Sequence, residues 1–152
     1  MDPVRFPATT VASVTDYDAY ADKYDELDGG RTADVFGFPD LRRGLLQQAS
    51  GAVLEVGIGT GLNLPYYNPR NISKLAAIDK SRGMLQQASK RLQETQFAAI
   101  AELQEGLAES LPFATDSFDT TVDTFSLCVY ANPLRALQEM ARVTRPGGQC
   151  DL

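Results

Sequence analysis

Val53-Leu54-Glu55-Val56-Gly57-Ile58-Gly59-Thr60-Gly61 decides the fold of this chain. Its apolar half has the length and composition of a buried strand. Glycine at every second position then marks a turn whose backbone takes positive φ or lies against a ligand. Strand, glycine turn and helix together are how open α/β sheets hold nucleotide-like cofactors, beyond the carboxyl end of the first strand. Backbone N–H groups are expected to point at the ligand there. The dinucleotide pattern G-x-G-x-x-G fails at Leu62. Glu55, just ahead of the first glycine, would repel a pyrophosphate and suits a cationic ligand. An NAD(P)-dependent oxidoreductase is therefore the weaker reading.

Composition narrows the chemistry. The 152 residues form at most one domain with a real core, 43% hydrophobic and 22% charged. A net charge of −6 argues against nucleic acid and against a polybasic membrane anchor. No apolar run approaches the roughly 20 residues of a transmembrane helix. Histidine is absent, which excludes His triads, His metal sites and His acid–base chemistry. Cys128 and Cys150 have no zinc spacing and read as reduced thiols, in cytoplasm or an organelle matrix. Cys128 reads as packing or pocket lining. Residues 1–14 are predicted to be a disordered leader, and residues 15–152 the domain.

Along the chain, Tyr17, Tyr20, Ala21 and Tyr24 fall at helical spacing. They predict a helix from Asp16 to Leu27, with Asp18, Asp22, Lys23 and Asp25 facing away. Thr15 or Asp16 can cap it, and Asp28-Gly29-Gly30 stops it. A second helix is predicted from Asp40 to Ser50, with Asp40 as its cap. Leu41, Leu45, Leu46 and Ala49 form its apolar face, Arg42 and Arg43 a solvated one, and Gly51 ends it. Ala52–Val56 is the central strand. Asn63–Tyr67 is a short helix that tolerates Pro65 in its first turn. Lys74–Ile78 is a strand ending at Asp79, a carboxylate placed to accept from a ribose diol about 20 residues after the first glycine. Ser81 caps the next helix, with Met84, Leu85, Ala88 and Leu92 inward. Phe97–Leu103 and Thr120–Leu127 are the third and fourth strands. Asn132 caps a helix that opens at Pro133 and faces Leu134, Leu137 and Ala141 inward. Pro146-Gly147-Gly148 breaks it, and Gln149–Leu152 is a stub of a fifth strand.

The run LEVGIGTGLNLPYY, residues 54–67, resembles motif I of the class I S-adenosylmethionine-dependent methyltransferases, in the form used by a branch acting on lipids, quinones, thiols and other small or apolar acceptors. The opening Tyr17-Asp18-x-Tyr20-Ala21-x-x-Tyr24-Asp25 is similar to that family's Y-D-x-x-A-x-x-Y-D helix. Residues 106–113, 117–128 and 137–148 resemble its GDAESLPF, SFDxVxxxFxLC and LQEMARVTRPGG segments. The resemblance implies a Rossmann-like, doubly wound, mostly parallel α/β sheet with flanking helices. It spans residues 15–150 and lacks the last strands of the usual seven-stranded sheet, which would leave an exposed edge open to a second copy or partner chain.

The same resemblance implies the site. Gly57, Ile58, Gly59, Thr60 and Gly61 would lie along the methionine end of S-adenosylmethionine, with Glu55 orienting its ammonium and Asn63 reaching the same end. Asp79 would hold the ribose. Lys80, Ser81, Met84, Ala108 and Glu109 would lie near the adenine, and Ser126 to Tyr130 would face the transferable methyl group. Tyr24 and Tyr20 would form a lid. Leu107 stands where the family has an Asp that accepts from the adenine amino group, a lost hydrogen bond of about 1 kcal/mol. The implied activity is methyl transfer to a small-molecule or lipid-like acceptor, with no catalytic residue that can be named. The rivals are a non-catalytic, truncated or partner-dependent protein and a fragment of a longer functional enzyme.

Overall fold

The computed structural model describes residues 16–25 and 37–152. The sheet is built on β1 (Gly51–Val56), flanked by β2 (Ile72–Asp79) and β4 (Phe118–Asp123). The outer strands are β3 (Ala101–Glu105) and β5 (Thr144–Asp151). Their order is β3-β2-β1-β4-β5, with every neighbouring pair parallel. Val53 to Val56 are all buried, as a strand covered on both faces requires.

Among the described residues the α-helices are α1 (Tyr17–Tyr20), α2 (Phe38–Leu46), α3 (Arg82–Leu92) and α4 (Pro133–Val143), with α1 lying against α3. Val53, Leu75, Ala77 and Val122 pack with Leu46, Ala88 and Leu92. On the opposite face Leu54, Val56, Ala76 and Ile78 pack with Ala136, Met140 and Val143. Chain progression reverses at β1, running outward through β2 and β3, then through β4 and β5. That reversal opens a crevice at the carboxyl ends of β1 and β4.

Several boundaries differ from the sequence reading. The first helix breaks at Ala21–Lys23 and resumes at Tyr24, and its continuation to Leu27 and the Asp28-Gly29-Gly30 stop lie outside the described residues, as does the leader. The second helix starts after Gly37, in the left-handed region at φ 72°, so Asp40 sits inside its first turn rather than capping it. It ends at Leu46, and Gly51 belongs to β1. Leu41 is exposed and Arg42 is buried, the reverse of the predicted faces, because Arg42 meets partners distant in sequence. The third strand begins at Ala101, since residues 96–100 form a turn. The fourth ends at Asp123, and Leu127–Val129 is a single 3-10 turn. In α4, Ala136, Met140 and Val143 point inward, while Leu134 and Ala141 are exposed. The fifth strand opens at Thr144, but its register breaks before Gln149, so Pro146-Gly147-Gly148 bulges away from the ladder.

Candidate active site at the glycine turn

Gly57, Gly59 and Gly61 all hold positive φ, at 70°, 57° and 82°. The turn is tied down from below. Gly57 and Ile58 both donate their N–H groups to the Ile78 carbonyl, at 2.9 and 3.0 Å. The Gly59 N–H donates to Asp79 Oδ2 at 2.8 Å, and the Gly61 N–H to the Ile58 carbonyl at 3.0 Å. These donors are engaged within the protein, which corrects the expectation that they point at a ligand. The glycines act instead by removing bulk. A Cβ on Gly57 would come within 2.6 Å of Ser126 Oγ and 2.7 Å of the Tyr130 hydroxyl, whereas the same direction at Gly59 is open.

Over the turn lies an open cavity with about 750 Å³ of empty space, counting its mouth. Tyr24, Gly57, Gly59, Asp79, Lys80, Met84, Ala108, Glu109 and Ser126 line it, as nine of the predicted site residues. Asp79 ends β2, and both its oxygens accept backbone donors, Oδ2 from Gly59 and Oδ1 from Ser81 at 2.9 Å. Burial pushes its carboxyl above the usual carboxylate range, against the pull of those backbone bonds. Each oxygen keeps a second lone pair for a ligand. The Lys80 ammonium lies 5.4 Å from the Tyr17 ring centre. Glu109 accepts the Asn132 N–H at 3.2 Å.

Val129 and Tyr130, from the predicted Ser126–Tyr130 stretch, line the cavity too, whereas Glu55, Ile58, Thr60, Gly61, Asn63 and Tyr20 do not reach its wall. Glu55 lies beneath the turn, 1% exposed. Its oxygens accept from Asn63 Nδ2 at 2.8 Å and from the Tyr67 hydroxyl at 2.9 Å. Burial pushes its carboxyl up to about 7, although Tyr67, Asn63 and Arg42 all pull the other way. Asn63 also donates to Thr124 Oγ1 at 2.8 Å. Ile58 and Thr60 are buried, Gly61 packs against Leu64 and Ala88, and Thr60 donates its hydroxyl to Asp25. Tyr20 is half exposed, away from the cavity, and Cys128 is exposed outside it.

The sequence reading missed part of the wall. Tyr17, Ile78, Gly106, Phe125 and Ala131 also line the cavity. Tyr130 donates its hydroxyl to Asp123 Oδ2, a contact no local pattern announces. Phe125 stands at φ 63°, a left-handed conformation costing a non-glycine residue roughly 1–2 kcal/mol. Its ring is 5.0 Å from Phe38, and the Arg42 guanidinium lies 5.1 Å from its centre.

Residues 54–151 match the family described as a methyltransferase domain. The chain belongs to that family. The methyltransferase domain is 42% identical over 99 residues to phosphatidylethanolamine N-methyltransferase of Cereibacter sphaeroides, covering 65% of this chain and 48% of the relative. It is 37% identical over 140 residues to demethylmenaquinone methyltransferase of Renibacterium salmoninarum, covering 88% and 54%. The crystal structure of the YcgJ protein of Bacillus subtilis superposes with a TM-score of 0.61 at 28% identity, covering 72% of this chain and 46% of that one. The methyltransferase domain thus spans about half the length of these relatives. Among its described residues no helix is long and apolar enough to cross a membrane.

Proposed function

We propose that this chain binds S-adenosylmethionine at the glycine turn and directs its methyl group to a small or apolar acceptor. The observation that carries the reading is the Asp79 carboxylate, fixed by Gly59 and Ser81 backbone donors at the floor of the cavity. A carboxylate so held faces a diol with its free lone pairs and needs no phosphate nearby. The cavity and the bulk-free glycines fit the group as well, since a turn whose own N–H groups are engaged offers little to a pyrophosphate.

When bound, S-adenosylmethionine would supply a sulfonium-activated methyl carbon open to in-line attack by the acceptor, with S-adenosylhomocysteine as the leaving group. The protein's work is then binding, alignment and exclusion of water. Gly57 and Gly59 would let the methionine end lie against the backbone. Asp79 would accept from the ribose hydroxyls, and Met84 and Ala108 would flank the adenine. Tyr24 would lie over the cavity as a lid. Glu55 would act through Asn63 and Tyr67 by fixing the underside of the turn. Relatives named for phosphatidylethanolamine and demethylmenaquinone support an apolar or lipid-like acceptor. Residues 15–152 would form the cofactor-binding portion of the methyltransferase domain.

Isothermal titration with S-adenosylhomocysteine tests the reading. The expected result is micromolar binding by the wild-type chain and at least about tenfold weaker binding by Asp79→Ala, the loss of charge-assisted hydrogen bonds. No heat from a folded wild-type chain leaves the non-catalytic reading in its place.

A further inference from the structure

Glu55, the acid that precedes the glycine turn, is taken up by partners beneath it. The wall above the turn carries a different acidic pair. The Tyr130 hydroxyl lies 2.7 Å from the position that a Cβ on Gly57 would take, with Ser126 Oγ 2.6 Å from the same point. Tyr130 and Gly57 both line the cavity, so this hydroxyl sits where the wall meets the turn. It donates its proton to Asp123 Oδ2. Asp123 ends β4 and is buried behind that wall, 1% exposed. Its Oδ1 accepts the Ser126 N–H at 3.0 Å, and the Leu127 N–H adds a third donor.

Burial pushes the Asp123 carboxyl above the usual carboxylate range, and those three donors pull the other way. They favour the ionised carboxylate without neutralising it. Lys80 offsets Asp79, and Arg42 offsets Glu55. Among the described residues no lysine or arginine does so for Asp123. A buried carboxylate without a cation is costly, and a cationic ligand beside it relieves that cost. Burial, Asp123 and Asp79 together push the Tyr130 phenol well up, so it stays a hydroxyl. Its proton is committed to Asp123. Its oxygen, with Ser126 Oγ beside it, keeps a lone pair and is polarised by the carboxylate behind it. An oxygen in that state prefers a positively charged ligand group.

We propose that Tyr130 receives a cationic group of the bound cofactor, and that Asp123 is the positioning residue that fixes and polarises its hydroxyl. This rests on the cofactor reading and gives the pair the charge recognition that the motif resemblance gives Glu55. S-adenosylmethionine carries two such groups, an ammonium and a sulfonium, and three ligands separate them. S-adenosylhomocysteine lacks the sulfonium charge, and its desamino analogue lacks the ammonium as well. Isothermal titration of the wild-type chain is expected to show a loss of about fivefold or more at one of these two steps, the scale of a hydrogen bond to a charged group. Asp123→Asn, which keeps the shape and removes the charge, should shrink that step to less than about twofold, and so should Tyr130→Phe. Both variants keep their affinity for the ligand that lacks the charge, which a merely structural role would not give. The step that shrinks tells ammonium from sulfonium. S-adenosylhomocysteine binding with neither step in the wild-type chain, or a step that survives either variant, overturns the proposal and leaves the cofactor reading standing. A wild-type chain that binds none of the three ligands overturns both.

Discussion

Glu55 shows how one residue can be legible in type and not in place. The sequence marks it as an acid ahead of a glycine turn, which is why it reads as a ligand contact. Its side chain shares a sheet face with Val53 and Ala77, and the β1–β4 pairing sets Val122 beside it, so apolar neighbours surround it. Three polar partners, Asn63, Tyr67 and Arg42, make that burial tolerable. The consequence is a pH effect. Folded Glu55 takes up its proton near pH 7, against 4.5 for the ordinary side chain. Between those values the native state holds a proton that the unfolded chain has lost, so stability falls as pH rises through that window. Asp79, Asp123 and Asp151, all pushed up chiefly by burial, act in the same direction. Asp18 and Glu139, lowered by their hydrogen bonds, act only at more acidic pH. The melting temperature is expected to drop by about 5 °C or more between pH 5 and pH 8. Glu55→Gln should flatten much of that slope, and an equally steep slope in the variant would rule Glu55 out as its source.

At the level of elements, periodicity located what local pattern controls. Ser81 caps α3 by accepting the Met84 N–H, and Asn132 caps α4 by accepting that of Arg135. Met84, Ala88 and Leu92 face inward as their spacing predicts. Helix faces set by distant partners escaped the sequence reading, Arg42 on α2 above all. The acidic side of the first helix is the instructive case. Asp18, Asp22 and Asp25 read as solvated, yet each holds a partner on the body of the domain. Asp18 accepts from Ser81 Oγ at 2.6 Å and from the Gly83 N–H at 2.8 Å. Asp22 accepts from Gln87, and Asp25 from Arg91 and Thr60. These carboxylates pin to α3 and the glycine turn a segment whose tyrosines, Tyr17 and Tyr24, line the cavity. Exposed charged bonds of this kind are individually weak and act together. Asp18→Asn combined with Asp25→Asn should therefore speed S-adenosylhomocysteine dissociation by roughly five- to tenfold in stopped-flow. An unchanged dissociation rate would mean that this segment does not gate the cavity.

For the whole molecule, the strands follow from apolar runs alternating with helical patterns, the mostly parallel sheet is what the family resemblance implies, and the five described strands are parallel, while their order comes only from the structure. What the sequence left open was contact across the cavity mouth, because Phe125, Phe38 and Arg42 come from segments with no shared period. The same sheet also fixes a sequence of events during folding. Val53 pairs with nearby Leu75 on one side and with distant Thr120 on the other. Closing the longer loop costs more chain entropy before any contact repays it. Pulsed hydrogen exchange during refolding should protect β1 and β2 before β4 and β5, and simultaneous protection would contradict this. In vectorial synthesis, then, the Glu55–Asn63–Tyr67 cluster can close as soon as its own short segment has emerged, while β4 is still to be made. Thr124, Phe125 and the far wall of the cavity are added afterwards to a floor that already exists.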